Sequence, residues 1–112
     1  MMQLKQLHPI ARKEHICMLC GGIIENGEKY ERQTNLYEGI IYDFVSHEKC
    51  QTVAMDLGMY DHLDTDGLTD LNFRDNIESY VYNNHYDNIN DDIDKDWQLP
   101  CKDLVEKIYD EI

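Results

Sequence analysis

Two runs of residues, Lys29 to Tyr37 and Ile40 to Val45, carry the Tyr, Thr, Ile, Phe and Val content and the two-residue period of β-strands. Glu38-Gly39 separates them, so the pattern predicts an antiparallel hairpin. Beyond it the period lengthens. Cys50, Val53, Ala54 and Leu57 fall at i, i+3, i+4 and i+7, and Gly58 follows where a helix commonly ends in a left-handed residue, predicting a helix over roughly 47–57. A second helix, roughly 70–83, has Thr69 as its N-cap and Leu68 and Phe73 at the two positions of a hydrophobic staple. Phe73, Ile77, Tyr80 and Val81 form its buried stripe. Further on, Ile89, Ile93 and Trp97 are four apart, which predicts a third short helix over the acidic stretch, with Asp91, Asp92, Asp94 and Asp96 on its wet face. The last helix, roughly 101–111, buries Cys101, Leu104, Ile108 and, at its end, Ile112.

The chain has 112 residues, 42% of them hydrophobic, and eight Tyr, which is too apolar for a disordered polypeptide and about right for one domain. There is no internal repeat, no Ser/Gly/Pro-rich linker and only two Pro. The expected organisation is an N-terminal arm and metal-binding module over residues 1–58, with an acidic helical subdomain over 59–112 packed on it as one α+β domain. No run approaches the roughly 18 apolar residues of a membrane span, and the Met-Met-Gln-Leu-Lys start lacks the apolar core of a secretory signal. A soluble, cytoplasmic protein is expected. In that compartment four Cys read first as metal ligands, not as a disulfide frame.

Four candidate ligands sit as Cys17-x2-Cys20, then 26 residues, then His47-x2-Cys50. Two residues between the first cysteines let both sulfurs converge from a tight loop, for which Gly21-Gly22 supplies the backbone freedom. An i, i+3 pair on the first turn of a helix points both of its side chains the same way. Three thiolates and one imidazole fill a tetrahedron that selects one zinc ion and leaves no open position for substrate or activated water. The site is expected to be structural.

Cys-x2-Cys loop, hairpin, then a helix delivering the last two ligands: this order resembles a treble-clef zinc finger, and the ligand set is similar to the first half of a LIM-type module. The string Cys17-Met18-Leu19-Cys20-Gly21-Gly22-Ile23-Ile24, with Gly27-Glu28-Lys29-Tyr30 and His47-Glu48-Lys49-Cys50, resembles small zinc-finger proteins of bacteriophages and mobile elements. The resemblance spans about residues 12–58. It implies a phage-encoded protein acting in the cytoplasm of a bacterial host. The long spacer, the missing second zinc module and the acidic second half depart from the LIM pattern, so LIM function is not carried over.

Net charge is −13 and falls unevenly. Residues 1–50 hold six basic and seven acidic side chains, whereas residues 51–112 hold four against sixteen. That half would repel a nucleic-acid backbone, although Lys5, Arg12, Lys13, Lys29 and Arg32 form a candidate basic patch. The leading expectation is a non-enzymatic protein-binding module that offers Asp87, Asp91, Asp92, Asp94 and Asp96, with Asp61, Asp64, Asp66, Asp70 and Asp75, to a basic partner. In its concrete form it is an acidic inhibitor of a host nucleic-acid-binding defence effector, imitating phosphate charge, with Tyr60, Tyr82, Tyr86 and Trp97 as exposed anchors. A small regulator touching nucleic acid through Lys29 and Arg32 of the hairpin is the alternative. An HNH-like nuclease, hinted at only by Asn83-Asn84-His85, is weaker still. His62 to Gly67 fails as a calcium loop, because Phe73 stands where a bidentate Glu is required. Cys101 reads as a buried structural thiol, and His8, His15, His62 and His85 as ordinary polar residues.

Overall fold

The hairpin is the centre of the molecule, and its register follows from the turn. In the computed structural model, which describes residues 2–61 and 67–112, a strand β1 (Met2–Leu7) is followed by the short strands β2 (His15–Ile16) and β3 (Ile23–Ile24), then by β4 (Tyr30–Tyr37) and β5 (Ile40–His47). Glu38 and Gly39 both take positive φ, 51° and 80°, which is the two-residue turn whose twist matches that of its strands. It pairs Tyr37 with Ile40 and Tyr30 with His47. β5 therefore runs two residues past the expected Val45 and ends on a candidate ligand. The N-terminal residues are not a loose arm: β1 pairs antiparallel with β4, giving a three-stranded sheet in the order β1-β4-β5. Its register slips between Gln3 and Lys5, so Leu4 is an extra residue in a β-bulge.

Helix α1 (Glu48–Asp56) starts directly from β5. It ends as its glycine predicts: Gly58, at φ 71°, donates to the Met55 carbonyl while Met59 N–H donates to that of Ala54, closing the two bonds of a Schellman motif. Helix α2 (Asp70–Asn84) has the expected cap, with Thr69 Oγ1 accepting from Asn72 N–H at 3.2 Å. Leu68 and Phe73 are both buried, as a staple requires. Helix α3 (Cys101–Glu111) packs against α1 and α2, burying Leu104, Val105 and Ile108, while Ile112 is exposed. His62, Asp64 and Asp66 lie outside the described residues.

The predicted third short helix is not formed. Tyr86–Asp87 and Asp92–Ile93 pair instead as a small hairpin, β6 and β7, followed by one 3₁₀ turn at Lys95–Trp97. Side chains decide against the helix. The Asp87 carboxylate accepts from the backbone N–H groups of Ile89 and Asn90 and from Asn90 Nδ2, a local closure that competes with helical bonding. Asp91 takes a positive φ of 55°, and Asp94 caps the 3₁₀ turn by accepting from Asp96 N–H. Ile89, expected on a buried stripe, is 94% exposed at the hairpin tip. Trp97 is corrected in the opposite sense. It is only 8% exposed, stacked on His85 at 3.6 Å and covered by the Lys107 ammonium.

The structure is thus an α+β fold with three helices and antiparallel sheets among the described residues. One apolar cluster joins the metal loop (Cys17, Leu19), β3 (Ile24), α1 (Val53, Ala54), α2 (Phe73, Ile77) and α3 (Val105, Ile108). No helix is long and apolar enough to cross a membrane.

A candidate metal centre

Local geometry in three elements aims the four ligands at one point. Cys17 and Cys20 occupy the tip of the β2–β3 ribbon, where Cys17 N–H donates to the Gly22 carbonyl at 2.8 Å and Gly21 N–H to that of Cys17 at 3.0 Å. His47 ends β5 and serves as the N-cap position of α1, with extended φ and ψ, while Cys50 stands on the first helical turn. The pair is therefore split across a strand end and a helix start. All four residues are buried, and their donor atoms lie within 4.8 Å of one another.

The spacing suits a tetrahedron. Zinc bond lengths of about 2.3 Å to sulfur and 2.0–2.1 Å to nitrogen imply edges of roughly 3.8 Å between sulfurs and roughly 3.6 Å between sulfur and nitrogen. Cys17 Sγ and Cys50 Sγ are 3.8 Å apart, and His47 Nδ1 lies 3.4 Å from Cys20 Sγ and 3.7 Å from Cys50 Sγ. The cluster can hold one metal ion, and its donor chemistry fits one zinc. Supporting contacts orient the donors. His47 Nε2 lies 2.9 Å from the Ile23 carbonyl, which only accepts, so a metal-bound ring carries its proton there and frees Nδ1 for the ion. Backbone N–H groups of Gly22 and His47 donate to the sulfurs of Cys20 and Cys17, at 3.3 and 3.4 Å.

Electrostatics already separates the donors. Hydrogen bonding from Cys20, then from Cys50, drives the Cys17 thiol far below its ordinary value, against the opposing effect of burial. Cys50 is pushed far up by hydrogen bonding to Cys17 and Cys20 and by burial. Burial alone would lower His47, but hydrogen bonds to Cys17 and Cys20 and the Cys17 charge outweigh it and hold the imidazole up at about 10.

The two glycines of the loop serve different ends. Gly21 has φ 77°, and Arg74 Nη2 of α2 fills the space its Cβ would need. Gly22 has no such backbone demand. A Cβ there would stand 2.8 Å from Lys102 Cδ, so its smallness admits the stem of an α3 lysine. Gly21→Ala is accordingly expected to cost about 1–2 kcal/mol from the left-handed backbone alone. Gly22→Ala should cost less, because it adds no left-handed backbone strain and asks α3, through Lys102 Cβ at 3.0 Å, to give by only a few tenths of an ångström. Chemical denaturation of the two variants with metal in excess checks the order, and equal losses would contradict it.

The remaining candidates are dispersed. Cys101 is half-buried at the start of α3, and burial, then the neighbouring Cys20, push its thiol up to about 11, which suits an inert thiol. Asn84 Nδ2 donates to the Tyr80 carbonyl, and His85 caps the end of α2, stacks on Trp97 and meets Glu111 Oε1 at 2.8 Å. His8 bonds Glu48 at 2.9 Å, and His15 packs on Tyr30 with ring centroids 5.0 Å apart. Among the described residues, Cys17, Cys20, His47 and Cys50 form the only such metal-binding group. Of the acidic set, Asp87, Asp91, Asp92, Asp94 and Asp96 gather around the β6–β7 hairpin, with Tyr82 and Tyr86 paired beside it at 5.0 Å. Tyr86 O–H donates to Asp91 Oδ1. Tyr60 is on the other side of the chemistry: its O–H donates to Gln51 Oε1, and burial with the Glu31 charge raises it to about 12. The basic patch is divided. Arg12, Lys13 and Arg32 share a cleft with His15 and Tyr30, whereas Lys29 faces Glu28, Lys49 and Lys102 in another.

Comparison with known proteins adds no relative: no family model, curated protein or solved structure matches the chain.

Proposed function

We propose that the chain is a non-enzymatic, zinc-stapled module of treble-clef type that works by binding a basic protein. The observation that carries this reading is the buried Cys17-Cys20-His47-Cys50 cluster. Its ligands come from a ribbon tip, a strand end and a helix start, in the order a treble clef uses, and four protein donors complete the tetrahedron. A bound zinc would organise the chain and leave no position for substrate. What the scaffold offers outward is the β6–β7 hairpin. Its carboxylates are pinned by local hydrogen bonds, and Ile89 is an exposed apolar residue at the tip. A pre-ordered acidic hairpin loses little entropy on docking into an Arg/Lys-lined groove. The groove of a nucleic-acid-binding effector is the concrete target, and blocking it is the proposed role.

The test is capture of partners from bacterial lysate by the tagged, metal-loaded protein at low and moderate salt, with mass spectrometry. One nucleic-acid-binding protein, lost as salt rises and lost with Asp91, Asp92, Asp94 and Asp96 exchanged for Asn, is expected. Ile89→Asp should weaken the same capture while leaving its salt dependence in place. Capture unchanged by either variant would end the reading.

One observation favours a second reading. Arg12, Lys13 and Arg32 line a cleft beside the His15–Tyr30 ring pair, a basic surface with aromatic character that suits a nucleic-acid strand. Under that reading Arg12→Glu with Lys13→Glu abolishes low-salt RNA or DNA binding, and the acidic variants leave it intact.

A further inference from the structure

Helix α2 carries an acidic stripe that none of the neighbouring cations answers. Asp75, Glu78 and Tyr82 fall at i, i+3 and i+7, so they share one face of the helix. Asp75 and Glu78 are exposed and make no ion pair among the described residues. Like charges one turn apart repel, and the nearby cations are held elsewhere. Arg74 Nη2 lies in the space that a Cβ on Gly21 would take, and the Lys102 stem lies against Gly22. Lys107 Nζ stands over the Trp97 ring and donates to the Asp96 carbonyl.

That stripe is one bank of a groove of about 550 Å³ between α2, β7 and α3. Every residue lining it belongs to one of those three elements, and none is a lysine or an arginine. Val81 of α2 and Leu104 of α3 are almost fully buried, and Ile93 of β7 is half-buried, which gives the groove an apolar floor. Tyr82, by contrast, is 59% exposed on the rim. This combination selects its occupant. An apolar group would strip water from two carboxylates without replacing it, and an anion would be repelled. A lysine carries a compact, strongly hydrated charge. An arginine brings an apolar stem for the floor, a planar and weakly hydrated cation able to bridge two carboxylates, and a face that stacks on a tyrosine ring.

We propose that this groove receives an arginine side chain of the basic protein partner. The stem covers Val81, Ile93 and Leu104, the guanidinium pairs with Asp75 and Glu78, and Tyr82 stacks on its plane. Ile93 belongs to the acidic hairpin itself, so the groove adjoins that surface. The inference rests on the partner-binding reading and deepens it: the hairpin supplies general charge attraction, and the groove supplies a specific anchor.

The experiment is an amide-resolved NMR titration of the full, zinc-loaded chain at constant ionic strength. The probes are the capped tripeptide Ala-Arg-Ala and its lysine and citrulline counterparts. The arginine peptide is expected to shift Val81, Tyr82, Ile93 and Leu104 saturably, with a Kd below about 10 mM. The lysine peptide should bind about threefold weaker or worse, and the neutral citrulline peptide should not bind. Asp75→Asn combined with Glu78→Gln should weaken the arginine peptide about tenfold. Tyr82→Ala should erase the preference for arginine over lysine. Equal binding of the arginine and lysine peptides overturns the proposal, as do shifts centred on Asp87 to Asp96 or binding that the double variant leaves unchanged. The peptide comparison decides the matter on the unaltered chain, whatever the variants do to folding. Groove binding together with an empty lysate capture upholds the arginine site and ends the partner reading. A successful capture without groove binding ends this inference alone.

Discussion

Stripping the metal is expected to remove on the order of 10 kcal/mol of folding free energy, comparable to the entire stability of a domain this size. The reason is where the ligands lie. They join the β2–β3 ribbon to the end of β5 and the start of α1, and the two glycines that follow Cys20 lie against Arg74 of α2 and Lys102 of α3. Loss of the ion should therefore loosen residues 12–58 first and then undo the docking of α2 and α3. Circular-dichroism melts with and without a strong chelator measure the effect, and native mass spectrometry should count one zinc per chain. Unchanged melting of the metal-free protein would contradict a structural ion. The pH dependence should also reverse. In the metal-free chain His47 is raised from 6.5 to about 10, so its contribution is fully present below 6.5 and lost as pH rises through 10. In the loaded chain protons compete with the metal for sulfur and Nδ1, so stability is lost as pH falls.

Phe73→Ala should be the most damaging single change away from the metal, costing about 3–5 kcal/mol. Phe73 is the largest of the fully buried side chains, 0% exposed, and sits at the staple position of α2 within the cluster that joins all three helices. Leu71→Ala on the same helix is the control, because Leu71 is 68% exposed and its loss should stay within about 0.5 kcal/mol. Urea unfolding with zinc in excess should move the Phe73→Ala midpoint far down with little change in slope. A small loss would mean that the core closes around the gap.

What the sequence disclosed and what it hid divide along one physical line. The ligand spacing, the hairpin turn at Glu38-Gly39, the Thr69 cap and the Gly58 stop depend on residues close together in the chain, and these were legible. β1 was not, because its strand character comes from pairing with β4, more than twenty residues away. The acidic stretch misled because Ile89, Ile93 and Trp97 fit a helical stripe, while the Asp87 side chain closes a turn that apolar spacing does not register. The burial of Asn35 and Glu31 was not legible, because polar residues at alternate strand positions leave no apolar stripe and only the fold buries them. The four residues of the cluster were legible, but the strand-end position of His47, the distinct duty of Gly22 and the Ile23 carbonyl that orients His47 were not.

The extra residue at Leu4 bears on how this chain behaves in a crowded solution. β1 is the outer strand of its sheet, and a straight outer strand is a template on which a second chain can build. A visiting strand laid along β1 would find its hydrogen-bonding groups in step up to Gln3 and out of step beyond it. Unlimited lateral growth of the sheet is thereby blocked by geometry, in addition to the mutual repulsion of chains that each carry a charge of −13.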